Sequence, residues 1–297
     1  MKSILTLALL AVSWPCEAAL SIFACTPEWG ALSRELGGDK VSAYTATTAL
    51  QDAHRIEARP SLIARARSAD LVVCNGAELE VGWLPVVISQ SGNANIQPGK
   101  PGYFEAADFV ALIDKPARLD RALGDIHAAG NPHIHLDPRN VAEVAAGLGE
   151  RMAALDRTNA EFFRERSRSF LDRWREATDR WEKQAAPLKG TAVVVHHKDF
   201  SYLIAWLGMR EVGSLEPKPG LPPSTASLAE LVARLKASPA KMVLRAAYQN
   251  PRPSEWLAQR AGIPALMLPF TVGGSDRAQD LFGLYDDTLV RLLTVAK

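Results

Sequence analysis

The chain of 297 residues has almost no net charge: 34 Lys and Arg stand against 33 Asp and Glu, a formal +1 at pH 7. That balance gives no electrostatic case for nucleic acid or an acidic membrane surface as a partner. Beyond the N-terminus no apolar stretch is long enough for a membrane-spanning helix. No His-Glu-x-x-His segment is present, so the helical signature of a zinc protease is excluded. Cysteine is scarce, three residues in all. Histidine is scarce too, six residues, and where they fall is more informative than how many there are. The bulk composition, 47% hydrophobic and 23% charged, is that of an ordinary globular protein long enough for two domains.

The N-terminus reads as a leader rather than as part of the fold. Lys2 precedes an apolar run over 4–12 broken only by Thr6, and Ser-Trp-Pro-Cys-Glu-Ala-Ala follows over 13–19. This is the layout of a secretory signal, with cleavage near Ala18 or Ala19. Cys16 follows Ser13-Trp14-Pro15, too bulky for a lipoprotein box. The exported chain keeps Cys25 and Cys74, which form either one disulfide or two buried thiols. They end the first and third predicted strands, which a doubly wound sheet can make neighbours, and this favours the disulfide.

The remainder alternates strands and helices. Short apolar strands are expected over 20–25, 41–45 and 71–74, with helices starting at Thr26-Pro27 and at Pro60. Strands joined by helices imply parallel sheets covered on both faces. Over 140–184 no proline occurs, and Phe163, Phe170, Trp174, Ala177 and Trp181 recur at helical spacing. This predicts a rigid helix of about 25 residues, about 40 Å long, joining two lobes. The alternation then resumes, with the β-branched run 191–195 as a buried strand. The expected organisation is a leader over 1–19, an N-terminal α/β lobe over 20–138, a linking helix over 139–186 and a C-terminal α/β lobe over 187–297. The halves share no visible sequence repeat.

Five of the six histidines lie in three short motifs, each near a predicted strand end or helix start, where open α/β sheets place ligands. The first is Asp52-Ala53-His54-Arg55-Ile56-Glu57-Ala58-Arg59-Pro60-Ser61, the second Asn131-Pro132-His133-Ile134-His135-Leu136-Asp137-Pro138, and the third Val195-His196-His197-Lys198-Asp199-Phe200-Ser201-Tyr202. A fourth segment, Gly273-Gly274-Ser275-Asp276, precedes the last helix. His196 and His197 are adjacent on an extended segment, so only one of them faces the cleft. His135 and His196 read as packing or supporting residues, and Glu80 as a carboxylate that either orients a histidine or is solvated at a helix start.

Together these motifs resemble those of the metal-binding solute-binding proteins of bacterial zinc and manganese ABC importers. The resemblance covers essentially the whole mature chain. It implies four metal ligands: His54 in an Asp-x-His-x-x-Glu-x-x-Pro-Ser segment, His133 in a Pro-His-x-x-Leu-Asp-Pro segment, His197 three residues before Phe200, and Asp276 in the loop near the C-terminus. It further implies a periplasmic receptor, expected to be a monomer and not an enzyme, that delivers zinc to a membrane permease and is open to loading by a zinc chaperone. The chain departs from the pattern at His135, where an aromatic is usual, and lacks the long histidine-rich loop of many zinc members. His127 is the histidine left in that region, and 115–132 is expected to order on metal binding, with His127 as a transient ligand. Three imidazoles and one carboxylate suit the tetrahedral preference of zinc, whereas manganese favours harder oxygen donors. Because histidines must be neutral to coordinate, affinity is expected to fall as pH drops from about 7 to 5. If Asp276 were not a ligand, three histidines and a water would instead resemble the site of a zinc hydrolase. A manganese receptor or an adhesin of the same fold is the remaining alternative.

Overall fold

A computed structural model describes residues 19–116, 124 and 126–296. All but the last residue of the expected leader therefore lies outside the described residues. The first lobe is built on β1 Leu20–Ala24, β2 Val41–Thr45, β3 Leu71–Cys74 and β4 Tyr103–Glu105, parallel and ordered β2-β1-β3-β4. Phe23 lies opposite Tyr44 on one side and Val72 on the other. Helices α1 Pro27–Gly37, α2 Pro60–Arg67 and α3 Leu84–Ser91 connect these strands. Trp29, Leu32 and Leu36 form the fully buried stripe of α1, as their spacing predicts. Pro27 sits at its first position, but the Thr26 side chain makes no capping hydrogen bond. Cys25 and Cys74 are joined in a disulfide with a Cα separation of 4.8 Å. It is possible because β1 and β3 pair directly.

The expected rigid helix with the Phe163 to Trp181 stripe is present, and the remainder of the linking region forms a second helix before it. α4 Pro138–Leu155 and α5 Ala160–Ala185 are separated by Asp156-Arg157-Thr158-Asn159. Asp156 turns the chain there by accepting from the backbone N–H of Asn159 at 3.2 Å and from its side chain at 2.8 Å, a competitor to helical bonding. The two helices pack antiparallel: Gly149 lies against Ser167, and the Trp174 indole N–H donates to the Pro138 carbonyl at 2.7 Å. α5, 26 residues long, is the spine of the molecule. Its first half meets α1, with the Arg166 guanidinium on the Glu35 carbonyl.

The second lobe holds β5 Ala192–Val195, β6 Arg210–Ser214, β7 Met242–Ala246 and β8 Ala265–Leu268, with α6 Ser201–Trp206, α7 Thr225–Ala237, α8 Pro251–Ala261 and α9 Leu281–Ala296. Its sheet order, β6-β5-β7-β8, repeats that of the first lobe although the sequences do not. The far half of α5 packs on α9: Trp181 stacks on Tyr285 at 4.8 Å, and its indole N–H donates to Asp286 at 2.6 Å. One hydrophobic core runs from Ile22 and Trp29 of the first lobe through Phe170 and Trp174 to Val193 and Leu284 of the second. Each sheet has a smaller core on its outer face, around Phe23 and Val72 in one lobe and Val194 and Val243 in the other. A shared central core makes the lobes one packed unit, and the carboxyl ends of both sheets border the cleft between them.

Candidate metal centre

His54 comes from the loop after β2, His133 from the turn before α4, and His197 from the turn after β5. Their ligand atoms lie within 4.8 Å of one another. The ring centroids are 5.5 Å apart for His54 and His133, 5.9 Å for His54 and His197, and 5.7 Å for His133 and His197. Three expected ligands are therefore brought together. The fourth, Asp276, is not: its side chain is exposed on the loop before α9 and lies outside this group.

Each imidazole is oriented through Nδ1. Asp52 Oδ1 accepts from the His54 ring at 2.7 Å and from the His54 backbone N–H at 3.0 Å. Asn131 Oδ1 does the same for His133, at 2.9 Å from the ring and 3.0 Å from the backbone. The Asn131 amide is fixed by its Nδ2, which donates to the Lys198 carbonyl at 2.8 Å. His197 Nδ1 donates to Glu216 Oε2 at 2.7 Å, a carboxylate that also accepts the Gly220 N–H at 2.7 Å. All three Nδ1 atoms thus carry the proton, and the Nε2 atoms are the donors left for an ion, the arrangement typical of ligating histidines.

Further contacts hold the turns themselves. The Trp83 indole N–H donates to the Ala53 carbonyl at 2.9 Å, and Asn75 Nδ2 to the Pro132 carbonyl at 2.6 Å. Asn75 is itself clipped by Glu80, whose carboxylate accepts the N–H of Asn75 at 2.8 Å and of Gly76 at 3.1 Å. Glu80 is therefore neither solvated nor directly on a histidine. It is buried, acts through the backbone of Asn75, and burial pushes it up to about 8.

His127 places Nε2 at 3.2 Å from His54 Nε2 and so covers that lone pair. The expectation that 115–132 orders on metal binding falls partly on 117–123 and 125, outside the described residues. His135 is a packing residue, with Nε2 on the Phe270 carbonyl at 3.0 Å and Nδ1 facing Glu28 at 3.6 Å. His196 is buried next to the site without joining the ligand group.

Asp52, Asp199 and Glu216 lie against the three rings, and burial raises the Asp199 carboxyl while His197 acts the other way. Burial first, and then His54 and His197, hold His133 well below the usual imidazole value, so it is a ready neutral donor. Burial alone would also lower His197, but Asp199 and Glu216 outweigh it and raise the group to about 9. In Asp52, the hydrogen bond and charge of His54 overcome burial and lower the carboxyl. The His133 Nε2 is buried with no hydrogen-bond partner. An orphaned imidazole lone pair beside two further imidazoles fits a metal ion.

Glu216, Tyr248 and Gln249 lie outside the histidine motifs because they follow other strands. Asp52 and Asn131 lie inside them, each two residues before its histidine. Their shared signal is the pattern Asx-x-His, in which an acceptor two residues upstream reaches both the backbone and the ring of the histidine.

The family model described as zinc-uptake complex component A periplasmic matches residues 22–294. The manganese ABC transporter substrate-binding lipoprotein PsaA of Streptococcus pneumoniae is 27% identical over 135 residues, 44% of this chain and 40% of its own length. The metal ABC transporter substrate-binding lipoprotein SsaB of Streptococcus sanguinis is 26% identical over 151 residues, 44% of this chain and 48% of its own. The match thus spans less than half the length of these curated relatives. A crystal structure of ZnuA superposes with a TM-score of 0.77 at 19% identity, covering 94% of this chain and 100% of that one. A cadmium-bound periplasmic metal binding protein from Candidatus Liberibacter asiaticus gives 0.76 at 16%, covering 93% and 99%. These structures share the two-lobed fold, and with the family match running through both lobes the chain belongs to the zinc-uptake complex component A family of metal ABC transporter substrate-binding proteins.

Proposed function

We propose that the protein is a zinc receptor that binds one ion between its lobes through His54, His133 and His197 and presents it to the permease of an ABC importer. The observation that carries this reading is the convergence of three imidazoles, each with Nδ1 already held by an acceptor. Three nitrogen donors favour zinc over manganese in the divalent series. That preference is the chain's own chemistry, since PsaA is named for manganese and the Liberibacter protein is described with manganese and with cadmium. The ion is cargo: it adds the charge that three imidazoles and their carboxylates are arranged to meet, and the protein's part is to orient donors and withhold water. Export to the periplasm through the leader at 1–19 belongs to the same proposal. Among the described residues no helix is long and apolar enough to cross a membrane. Asp276, expected as the oxygen donor, reaches this site only if the loop around Gly273 and Gly274 carries it in. Competition titration with zinc and manganese, together with elemental analysis, tests the proposal. One zinc per chain, bound far more tightly than manganese, is expected; a preference for manganese overturns it. Turnover of ester or peptide substrates by the zinc-loaded protein would revive the hydrolase alternative.

A further inference from the structure

Asp199 stands in the short turn after β5, two residues beyond His197, and its carboxylate is completely buried. No arginine or lysine pairs with it among the described residues. Its hydrogen bonds come from two side chains that follow β7: the Tyr248 hydroxyl donates to Oδ1 at 2.9 Å, and the Gln249 amide donates to Oδ2. A carboxylate so far from water is costly unless a cation answers it, and the charge beside it is that of His197, which it raises and which gives up its proton when an ion binds.

What faces Asp199 is His133. Its Oδ1 lies 3.4 Å from His133 Nε2. The state of that nitrogen follows from the other side of the ring, where Nδ1 must donate because Asn131 Oδ1 can only accept. Nε2 therefore carries a bare lone pair, in agreement with its lack of any hydrogen-bond partner. With Asp199 ionised, two lone pairs, one on the carboxylate and one on the imidazole, confront each other, and burial raises the Asp199 carboxyl against that state. Such a contact is repulsive as it stands and becomes favourable when both atoms bind one cation. The spacing suits it, since donors about 2.0–2.2 Å from a tetrahedral zinc lie about 3.3–3.5 Å apart.

We propose that Asp199, oriented by Tyr248 and Gln249, supplies the fourth donor to the ion held by His54, His133 and His197. The assignment rests on the three-histidine reading above and replaces Asp276 in the role of oxygen donor. It also accounts for a carboxylate withdrawn from solvent behind the cleft, whereas Asp276 is exposed on its loop. Asp199 stands outside the three-histidine group whose ligand atoms lie within 4.8 Å of one another, so a shift of its turn toward His54 and His197 completes the site, while Tyr248 and Gln249 hold its two oxygens.

The test uses the full mature chain with zinc, and with cobalt(II) as a spectroscopic stand-in whose visible bands are intense only in tetrahedral sites. Asp199→Asn keeps the shape and the hydrogen-bonding capacity of the side chain. It is expected to weaken zinc by more than the roughly 10–100-fold that loss of an outer partner costs, and to alter the cobalt bands. Asp276→Asn is expected to leave both as in the native protein. Tyr248→Phe, which removes only an orienting donor, is expected to weaken zinc by about tenfold while the bands stay in place. If Asp199→Asn matches the native protein and Asp276→Asn loses affinity and bands, Asp199 is not the donor and the three-histidine site stands. If His54→Ala, His133→Ala and His197→Ala all retain zinc, the site itself is wrong. Should Asp199→Asn fail to fold, anomalous diffraction from zinc-loaded native crystals decides. The ion is expected at bonding distance from Asp199, and an ion bonded to Asp276 instead overturns the proposal.

Discussion

The two lobes share one strand order, β2-β1-β3-β4 and β6-β5-β7-β8, yet they hold the histidines of the candidate site by different means. In the first lobe the support is local: Asp52 and Asn131 each stand two residues before the histidine they orient. In the second lobe the support is remote, because Glu216 reaches His197 from 19 residues further on, at the end of the neighbouring strand. Only the first lobe carries a disulfide across its strand ends, from Cys25 to Cys74. A local device works whenever its turn forms. A remote one works only when the sheet has assembled, and it couples the ligand to the loop that follows.

The sharpest break of this comparison is removal of a ligand from each lobe. His133→Ala and His197→Ala are each expected to abolish zinc binding in a competition titration at micromolar metal. His54→Ala should retain a weak residue of binding, because His127 Nε2 lies 3.2 Å from the lost donor and can partly replace it. Equal loss in all three variants would remove His127 from consideration.

Next in size is the disulfide. Replacing Cys25 and Cys74 together by Ser is expected to cost about 2–5 kcal/mol of stability in denaturant titrations of the metal-free protein. Zinc should bind still, because Asn75 and Glu80 continue to hold the His133 turn from the backbone. Unchanged stability would show that pairing of β1 with β3 suffices without the bond.

Smaller effects come from the acceptors. Glu216→Ala and Asp52→Ala are each expected to weaken zinc by about 10–100-fold. The lobes separate in the conservative variants. Asp52→Asn copies the Asn131 arrangement and should be nearly silent in isothermal titration. Glu216→Gln removes a charge that also answers His197 and should not be silent.

The gentlest probe is pH. His197 is raised to about 9, so at neutral pH it is protonated and zinc must displace that proton. His133 is held well below the usual imidazole range and releases none there. Affinity should therefore rise with pH between 7 and 9, by about tenfold per unit where one proton is displaced, and level off above 9. This puts His197's share of the dependence above the window of 7 to 5 expected from ordinary histidines. In the metal-free protein the sign is opposite: the His197 ion pairs stabilise the fold fully below the unfolded value of about 6.5 and are lost as pH rises through about 9. Proton release in buffers of different ionisation heat checks the first claim and thermal melts the second. In Glu216→Gln both windows should move to lower pH.

The strands and most helices were legible because their signals are local. Apolar runs such as Leu71–Cys74, Pro27 and Pro60 at helix starts, and the aromatic stripe of α5 each act within a few residues. The break between α4 and α5 was missed although its signal was present, since Asp156 and Asn159 bond to one another in competition with the helix. Asp276 was expected from its place in a motif, and the structure leaves it exposed, because a glycine-rich loop does not determine where its last residue points.

What the sequence determined by itself is the inventory: two α/β halves, three histidines in loops and turns between strands and helices, and for two of them the acceptor that sets the ring, since Asx-x-His closes a turn on itself. What only the tertiary structure decided is the partnership across distance. Glu216 meets His197 because β6 lies beside β5, and Asp199 meets His133 because one shared core holds the lobes at a fixed separation. Backbone turns and helix starts depend on neighbours in the chain, whereas the charge and protonation of a buried site depend on which elements pack around it, and that is set by burial of apolar faces far from the site.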